Sequence, residues 1–191
     1  MAAILSDENS FPGIDIVRFG SSIDEIMDRH SLENQSVLSM YEKSVSVYKT
    51  YYQFEKIDGI ERKKVDLIPE KAFREAVTNA IVHRTWDVNA RIRIEMFSDK
   101  ILVSSPGGLP SGISEEEYLE GRVSVLRNPI LASVFFRLHL IEKFGTGIRR
   151  IKSSYKDVSV KPEFFIGENS IEIMLPVVSA QKAVSTSEQK I

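Results

Sequence analysis

Cysteine is absent from all 191 residues, which at once removes disulfides, thiol nucleophiles and thiolate metal sites. The absence fits a reducing compartment, and the expected location is cytoplasmic. Long hydrophobic runs are missing too. Ile101 to Val103 and the interrupted Ile130 to Val134 fall far short of the roughly 20 residues a membrane span requires. Met1 to Ser6 holds no basic residue and a single Ile4-Leu5 apolar step, so no secretory leader is expected. Neither sign of charge dominates: 25 Lys+Arg against 27 Asp+Glu leaves −2, which argues against a nucleic-acid coat over the whole surface but not against a local basic patch. The three histidines, His30, His83 and His139, have no zinc-site spacing. No Gly-x-x-x-x-Gly-Lys-[Ser/Thr] loop occurs, so a helicase motor is excluded from this chain. What is present, 42% hydrophobic and 27% charged residues, is the composition of one ordinary soluble domain. At this length it can bury roughly 70% of its unfolded surface.

The pattern along the chain is mixed. Ile14, Ile16, Val17 and Phe19 flank Asp15 and Arg18 after a Phe11-Pro12-Gly13 turn and predict a strand. Val37, Leu38, Tyr41, Val45, Tyr48 and Tyr52 share one helical face and predict the longest helix, over 34–52. Asp58-Gly59 between two short runs predicts a hairpin turn. Pro69 opens a second amphipathic helix to about Arg84, with Phe73, Ala76, Val77, Ala80 and Ile81 on its apolar face and Glu75, Asn79 and His83 opposite. A half-buried hairpin follows over 90–97 and 101–105, then a glycine- and proline-rich loop, one short acidic helix, helices over 128–138 and 145–155, and a strand over 170–175. The stretch after Ser179 lacks periodicity and reads as disordered.

Three short sites carry chemistry. Glu75 and Asn79 stand one helical turn apart, so that a carboxylate able to orient water lies beside an amide oxygen able to ligate Mg²⁺; a solvated polar helix face is the plain alternative. Ser105-Pro106-Gly107-Gly108 is a strand-to-glycine turn. Gly145-Thr146-Gly147 places small residues before Ile148-Arg149-Arg150-Ile151, where free helix N–H groups attract anions; a simple inter-helix turn is the alternative.

In this order, the helix Glu-x-x-x-Asn, the strand-to-glycine turn, the long loop and the Gly-x-Gly helix start resemble the N, G1 and G2 boxes of the GHKL ATPase superfamily. Phe73 to Arg84, Ser105 to Pro110, Arg127-Asn128-Pro129 and Leu140 to Ile148 are more similar to one branch of it: bacterial transcriptional regulators often labelled RecG-related. The resemblance implies an α+β fold, a two-layer α/β sandwich of the GHKL (Bergerat) type with a mixed sheet and helices on one face. It implies a remnant or linker over 1–20 that follows another domain, the GHKL-like domain over 21–177, and a tail over 178–191. By the same resemblance the site takes ATP and Mg²⁺. Asn79 ligates the metal, Glu75 positions water as the catalytic residue, and Ser105, Gly107, Gly108, Gly145, Thr146 and Gly147 line the nucleotide. DNA is then contacted mainly through other domains, a homodimer is an open expectation, and no membrane is involved. A weak ATPase and a degenerate scaffold that dimerises without nucleotide remain alternatives.

One departure from the family pattern stands out. The Asp that usually accepts the adenine amino group is replaced by Ser105, and the nearest upstream acid, Asp99, lies six residues back, roughly 20 Å along a strand. A hydroxyl free to turn as donor or acceptor predicts modest discrimination between ATP and GTP. Leu109 also stands where a second family glycine would fall. Between Arg122 and Lys152 there are seven basic residues, Arg122, Arg127, Arg137, Lys143, Arg149, Arg150 and Lys152, against the single acid Glu142. This run can hold a triphosphate, touch nucleic acid, or form solvated helix surface beside the acidic Glu115 to Glu120 stretch.

Overall fold

The computed structural model describes residues 2–121, 125–141 and 146–178. After a single 3-10 turn at Ala2–Leu5, the elements run β1 (Ile14–Phe19), β2 (Ile26–Leu32), α1 (Val37–Tyr52), β3 (Gln53–Asp58), β4 (Glu61–Asp66), α2 (Glu70–His83), β5 (Ile92–Met96), β6 (Lys100–Pro106), α3 (Glu115–Glu120), α4 (Pro129–Arg137), α5 (Gly147–Ser154), β7 (Glu163–Ile166) and β8 (Ser170–Pro176). Six strands form one sheet in the order β2-β1-β5-β6-β8-β7, and β3 and β4 form a separate two-stranded ribbon. Among the described strands only β1 and β5 pair in parallel, so the sheet is mixed. The fold is therefore the expected α+β sandwich.

The sheet has one apolar face because its side chains alternate. Ile14, Ile16, Ile92, Ile94, Met96, Ile101, Val103, Ile171, Ile173 and Leu175 are all buried beneath the helices. Their neighbours Asp15, Arg93, Glu95 and Glu172 point to the other face. Against the apolar face lies α2, which Pro69 precedes as N-cap. Phe73 stacks on Tyr48 of α1 with ring centroids 4.5 Å apart, and each fully buried ring stabilises the fold by roughly 1.5–3 kcal/mol. Tyr41 of α1 in turn meets Phe135 of α4 edge-on at 5.9 Å. The tyrosine face of α1 is thus covered within the chain.

Four features differ from the expectations. Residues 14–19, which the sequence places ahead of the domain, form an interior strand paired with both β2 and β5. The hairpin turn is Gly59-Ile60, because Asp58 pairs with Glu61 and the left-handed conformation falls on Gly59 at φ 64°. β2 and β7 have no counterpart in the sequence reading, since both are edge strands and β2 carries Asp28, Arg29, His30 and Ser31 in its middle. Finally, α2 is buried on nearly all sides, so Glu75 does not sit on a solvated face. No described helix is long and apolar enough to cross a membrane. The sequence-based reading of 179–191 lies outside the described residues.

Candidate functional site

The path of α2 brings the first and third motifs together. Glu75 and Asn79 project from successive turns toward the start of α5, where Gly147 is the first helical residue and Thr146 precedes it. A Cβ at Gly147 would stand 2.6 Å from Glu75 Oε1 and 2.8 Å from Asn79 Nδ2, closer than real contacts allow. Only glycine lets the two backbones and the two polar side chains share this space. Glu75 is only 8% exposed, and its other oxygen lies 3.9 Å from Arg150 Nη1. Gly145, expected to help cradle phosphate, lies outside the described residues, as do Arg122 and Lys143.

The glycine turn after β6 is held from two sides. Gly107 adopts φ 102°, and a Cβ there would collide with Thr85 Oγ1 at 2.1 Å and Arg127 Nη1 at 2.7 Å. Gly108 packs against the β7–β8 turn, where a Cβ would stand 2.2 Å from Glu168 O. Arg127 then ties the turn to the end of α2: Nη1 donates to His83 O at 3.0 Å and Thr85 Oγ1 at 2.9 Å, while Nη2 donates to Gly108 O at 2.9 Å. Asn128 adds Nδ2 bonds to Val82 O at 2.7 Å and Arg84 O at 3.0 Å. These side chains satisfy carbonyls that a helix leaves unpaired at its C-terminus. Arg127-Asn128 is therefore a clip between the helix end and the glycine turn.

Between α2, β6 and β8 lies a narrow cleft with polar walls from Asn79, His83, Ser105 and Gly107 and apolar walls from Ala76, Ala80, Val103, Ile171 and Ile173. Tyr118 of α3 closes it, leaving a cavity of about 20 Å³, room for one water. The Ser105 hydroxyl is not a free rotor: it donates to Ala80 O at 2.9 Å. Its proton committed, it offers a partner in the cleft only lone pairs, which replaces the expectation of indifferent base recognition with an acceptor. Burial, reinforced by the nearby Arg127 charge, lowers the His83 pKa to about 4, so His83 is neutral at physiological pH. Burial alone pushes the Tyr118 phenol up to about 12.

The structure thus joins Glu75 and Asn79 with Gly147, which Thr146 precedes, along the middle of α2, and Asn79, Ser105 and Gly107 at the cleft, with Asn79 common to both. Gly108 faces the β7–β8 turn and contributes its carbonyl to the clip. Among the described members of the basic run, four have partners inside the chain. Arg127 holds the glycine turn, Arg150 meets Glu75, Arg149 Nε donates to Glu120 O at 2.9 Å and Lys152 Nζ donates to Leu119 O at 2.7 Å. The sequence reading missed Tyr118, which looks like any amphipathic helix residue in Glu-Glu-Glu-Tyr-Leu-Glu. It also missed Arg84, fully buried beneath Trp86 at 4.2 Å and bonded to Pro12 O, Val88 O and Ala90 O.

Comparison with known proteins bears on the fold and on the stretch from β5 to β8. Residues 89–175 match the family model described as "Putative ATP-dependent DNA helicase recG C-terminal". That match spans β5 to β8, including the glycine turn and the start of α5, and begins after the α2 residues Glu75 and Asn79. Among solved structures, the crystal structure of the DIP2311 protein from Corynebacterium diphtheriae is similar at 26% identity and a TM-score of 0.77, over 88% of this chain and 35% of that chain. The chain therefore spans about a third of that relative's length. No protein of curated function matches it. Over 89–175 the chain is thus similar to the RecG C-terminal family, and its mixed sheet with helices on one face is consistent with a GHKL-type α/β sandwich.

Proposed function

We propose that this domain binds a nucleoside triphosphate with Mg²⁺ in the cleft between α2 and the sheet, as a sensing module of a DNA-directed regulator. The observation that carries the reading is the convergence at Gly147. A carboxylate and an amide from α2 lie within contact of Gly147, the first residue of α5, and a helix start is where N–H groups without intrahelical partners and the positive end of the dipole favour an anion. The base would sit between Ser105 and the apolar walls, and the phosphates would run toward the α5 N-terminus. Among the described residues no cluster of three or more His, Asp or Glu side chains is placed to hold a metal. Mg²⁺ suits such a site, since with triphosphates it is held by one or two protein oxygens, with phosphate and water supplying the rest. Asn79 is the protein ligand in this reading. When bound, the ion neutralises phosphate charge, and Glu75 is the group that orients a water.

A second reading, a scaffold that takes no nucleotide, is favoured by one observation: the cavity of about 20 Å³ is too small for a base as it stands. Calorimetric titration with ATP, with and without Mg²⁺, separates the two. The expected result is Mg²⁺-dependent binding that Asn79→Ala abolishes while the thermal midpoint stays within about 5 °C, as for a polar residue outside the core. No heat from the native chain, or equal loss of binding and folding in the variant, refutes the nucleotide reading. The DNA-directed role is proposed for the larger protein that such a module would serve, with DNA contacted by other domains. A homodimer is proposed on the same footing.

A further inference from the structure

We propose that α3 is a displaceable plug, in which Tyr118 fills the base end of the cleft and the cations of α5 hold the helix in place, so that a ligand enters only after α3 withdraws. The nature of the ligand rests on the nucleotide reading above; the plug itself does not. Three observations converge. Among the described residues, Tyr118 is the only wall of the cleft contributed by neither α2 nor the sheet nor the glycine turn, and with it in place the space holds a single water. The helix that carries it is peripheral: none of its six residues is fully buried, so little apolar surface resists its departure. Its C-terminal end is held by cations of α5. The last carbonyls of α3 accept Arg149 Nε and Lys152 Nζ, positive groups at the negative end of a helix dipole.

The flanks suit a hinged element. Gly112 before α3 has φ 85° with no neighbouring atom within 4 Å of a Cβ position, and Gly121 after it caps the helix in the left-handed conformation at φ 60°. The helix itself is internally complete, with Ser114 and Glu117 closing a reciprocal capping box, so it can move as a unit without unravelling. A phenol ring standing where a base would lie is an internal competitor. If the withdrawn state holds about one molecule in ten, a ligand's apparent affinity is roughly tenfold weaker than its intrinsic affinity.

The missing cysteines make a direct test simple. Ala80→Cys places a lone thiol on the cleft wall behind Tyr118, and its alkylation by iodoacetamide reports access without any nucleotide. Labelling is expected to be slow with Tyr118 or Tyr118→Phe, which keeps the ring. It should be roughly tenfold faster with Tyr118→Ala or with Arg149→Ala and Lys152→Ala together, as for removal of a state holding about nine-tenths of the molecules. Equal labelling rates in the Tyr118 and Tyr118→Ala backgrounds overturn the plug. In the parent chain without the reporter cysteine, Tyr118→Ala is expected to bind ATP with Mg²⁺ roughly tenfold more tightly. Faster labelling with no ATP binding in any variant leaves the plug standing and refutes the nucleotide reading. Tighter ATP binding in Tyr118→Phe as well as in Tyr118→Ala overturns the role of the ring.

Discussion

Gly147→Ala is the sharpest test of whether the motifs form one site, because it adds a single methyl group at their point of contact. The new carbon would stand 2.6 Å from Glu75 Oε1 and 2.8 Å from Asn79 Nδ2, against the roughly 3.5 Å at which such atoms rest. Relief requires both side chains, or the start of α5, to move by about 1 Å. Overpacking of this kind costs ~1–3 kcal/mol, partly offset by the better helix propensity of alanine, worth up to about 1 kcal/mol. The expected net loss is about 1–2 kcal/mol, which lowers the thermal midpoint of a domain this size by ~2–8 °C. Ligand binding should suffer far more, since displacing a positioning group by about 1 Å can cost ~100-fold. Thermal melts and calorimetric titrations with ATP and Mg²⁺ on Gly147→Ala, Asn79→Ala and the double variant give a complete cycle. Removing the Asn79 side chain removes half of the clash, so the two stability losses should be less than additive. Strict additivity together with unimpaired binding in Gly147→Ala would refute the shared site.

Ser105→Ala should lower stability by about 1 kcal/mol through loss of the bond to Ala80 O, and should equalise ATP and GTP affinities; native-like ATP preference in the variant would place the hydroxyl outside base recognition. His83 gives a pH signature. Its folded pKa of about 4 lies below the unfolded value of roughly 6.5, so the unfolded chain binds a proton that the folded chain refuses. Its contribution is fully present above pH ~6.5 and is lost as pH falls toward ~4, by up to about 3 kcal/mol before solvent screening of the part-exposed ring. Urea midpoints between pH 7 and 4 should therefore fall less steeply in His83→Gln, and identical slopes would refute the assignment.

Legibility in the sequence followed the physics of each element. The α2 helix was readable because Phe73, Ala76, Val77, Ala80 and Ile81 repeat at helical spacing and Pro69 marks the start, two signals that agree. β5 and β6 were readable from their alternation. β2 was not, because an edge strand needs only half of its groups satisfied by the sheet, and its middle residues serve other contacts. Asp28 Oδ2 accepts the Tyr51 hydroxyl at 2.5 Å and lies 2.7 Å from His30 Nε2. A polar run of that kind carries no periodicity that a sequence window can detect. The strand at 14–19 was legible as a strand but not as a member of the domain, since its parallel pairing with β5 joins residues almost eighty positions apart.

The site shows the same division between spacing and distance. Glu75 and Asn79 are neighbours by helix geometry alone, so their pairing was legible without a fold. Their approach to Gly147 depends on how α5 crosses α2, a relationship that no local pattern contains. The direction of the Ser105 hydrogen bond depends likewise on the helix carbonyl above it: the residue type alone left a rotor, whereas Ala80 O turns it into an acceptor for whatever enters the cleft. The basic run illustrates the converse. As composition it left open a triphosphate site, a nucleic-acid contact or solvated helix surface, yet Arg127, Arg149 and Lys152 donate to carbonyls at the C-terminal ends of α2 and α3 and in the glycine turn, and Arg150 meets Glu75. Positive side chains placed there complement helix dipoles inside the molecule. Charge density along a chain therefore bears on a binding surface only after the carbonyls and carboxylates of the fold have taken their share.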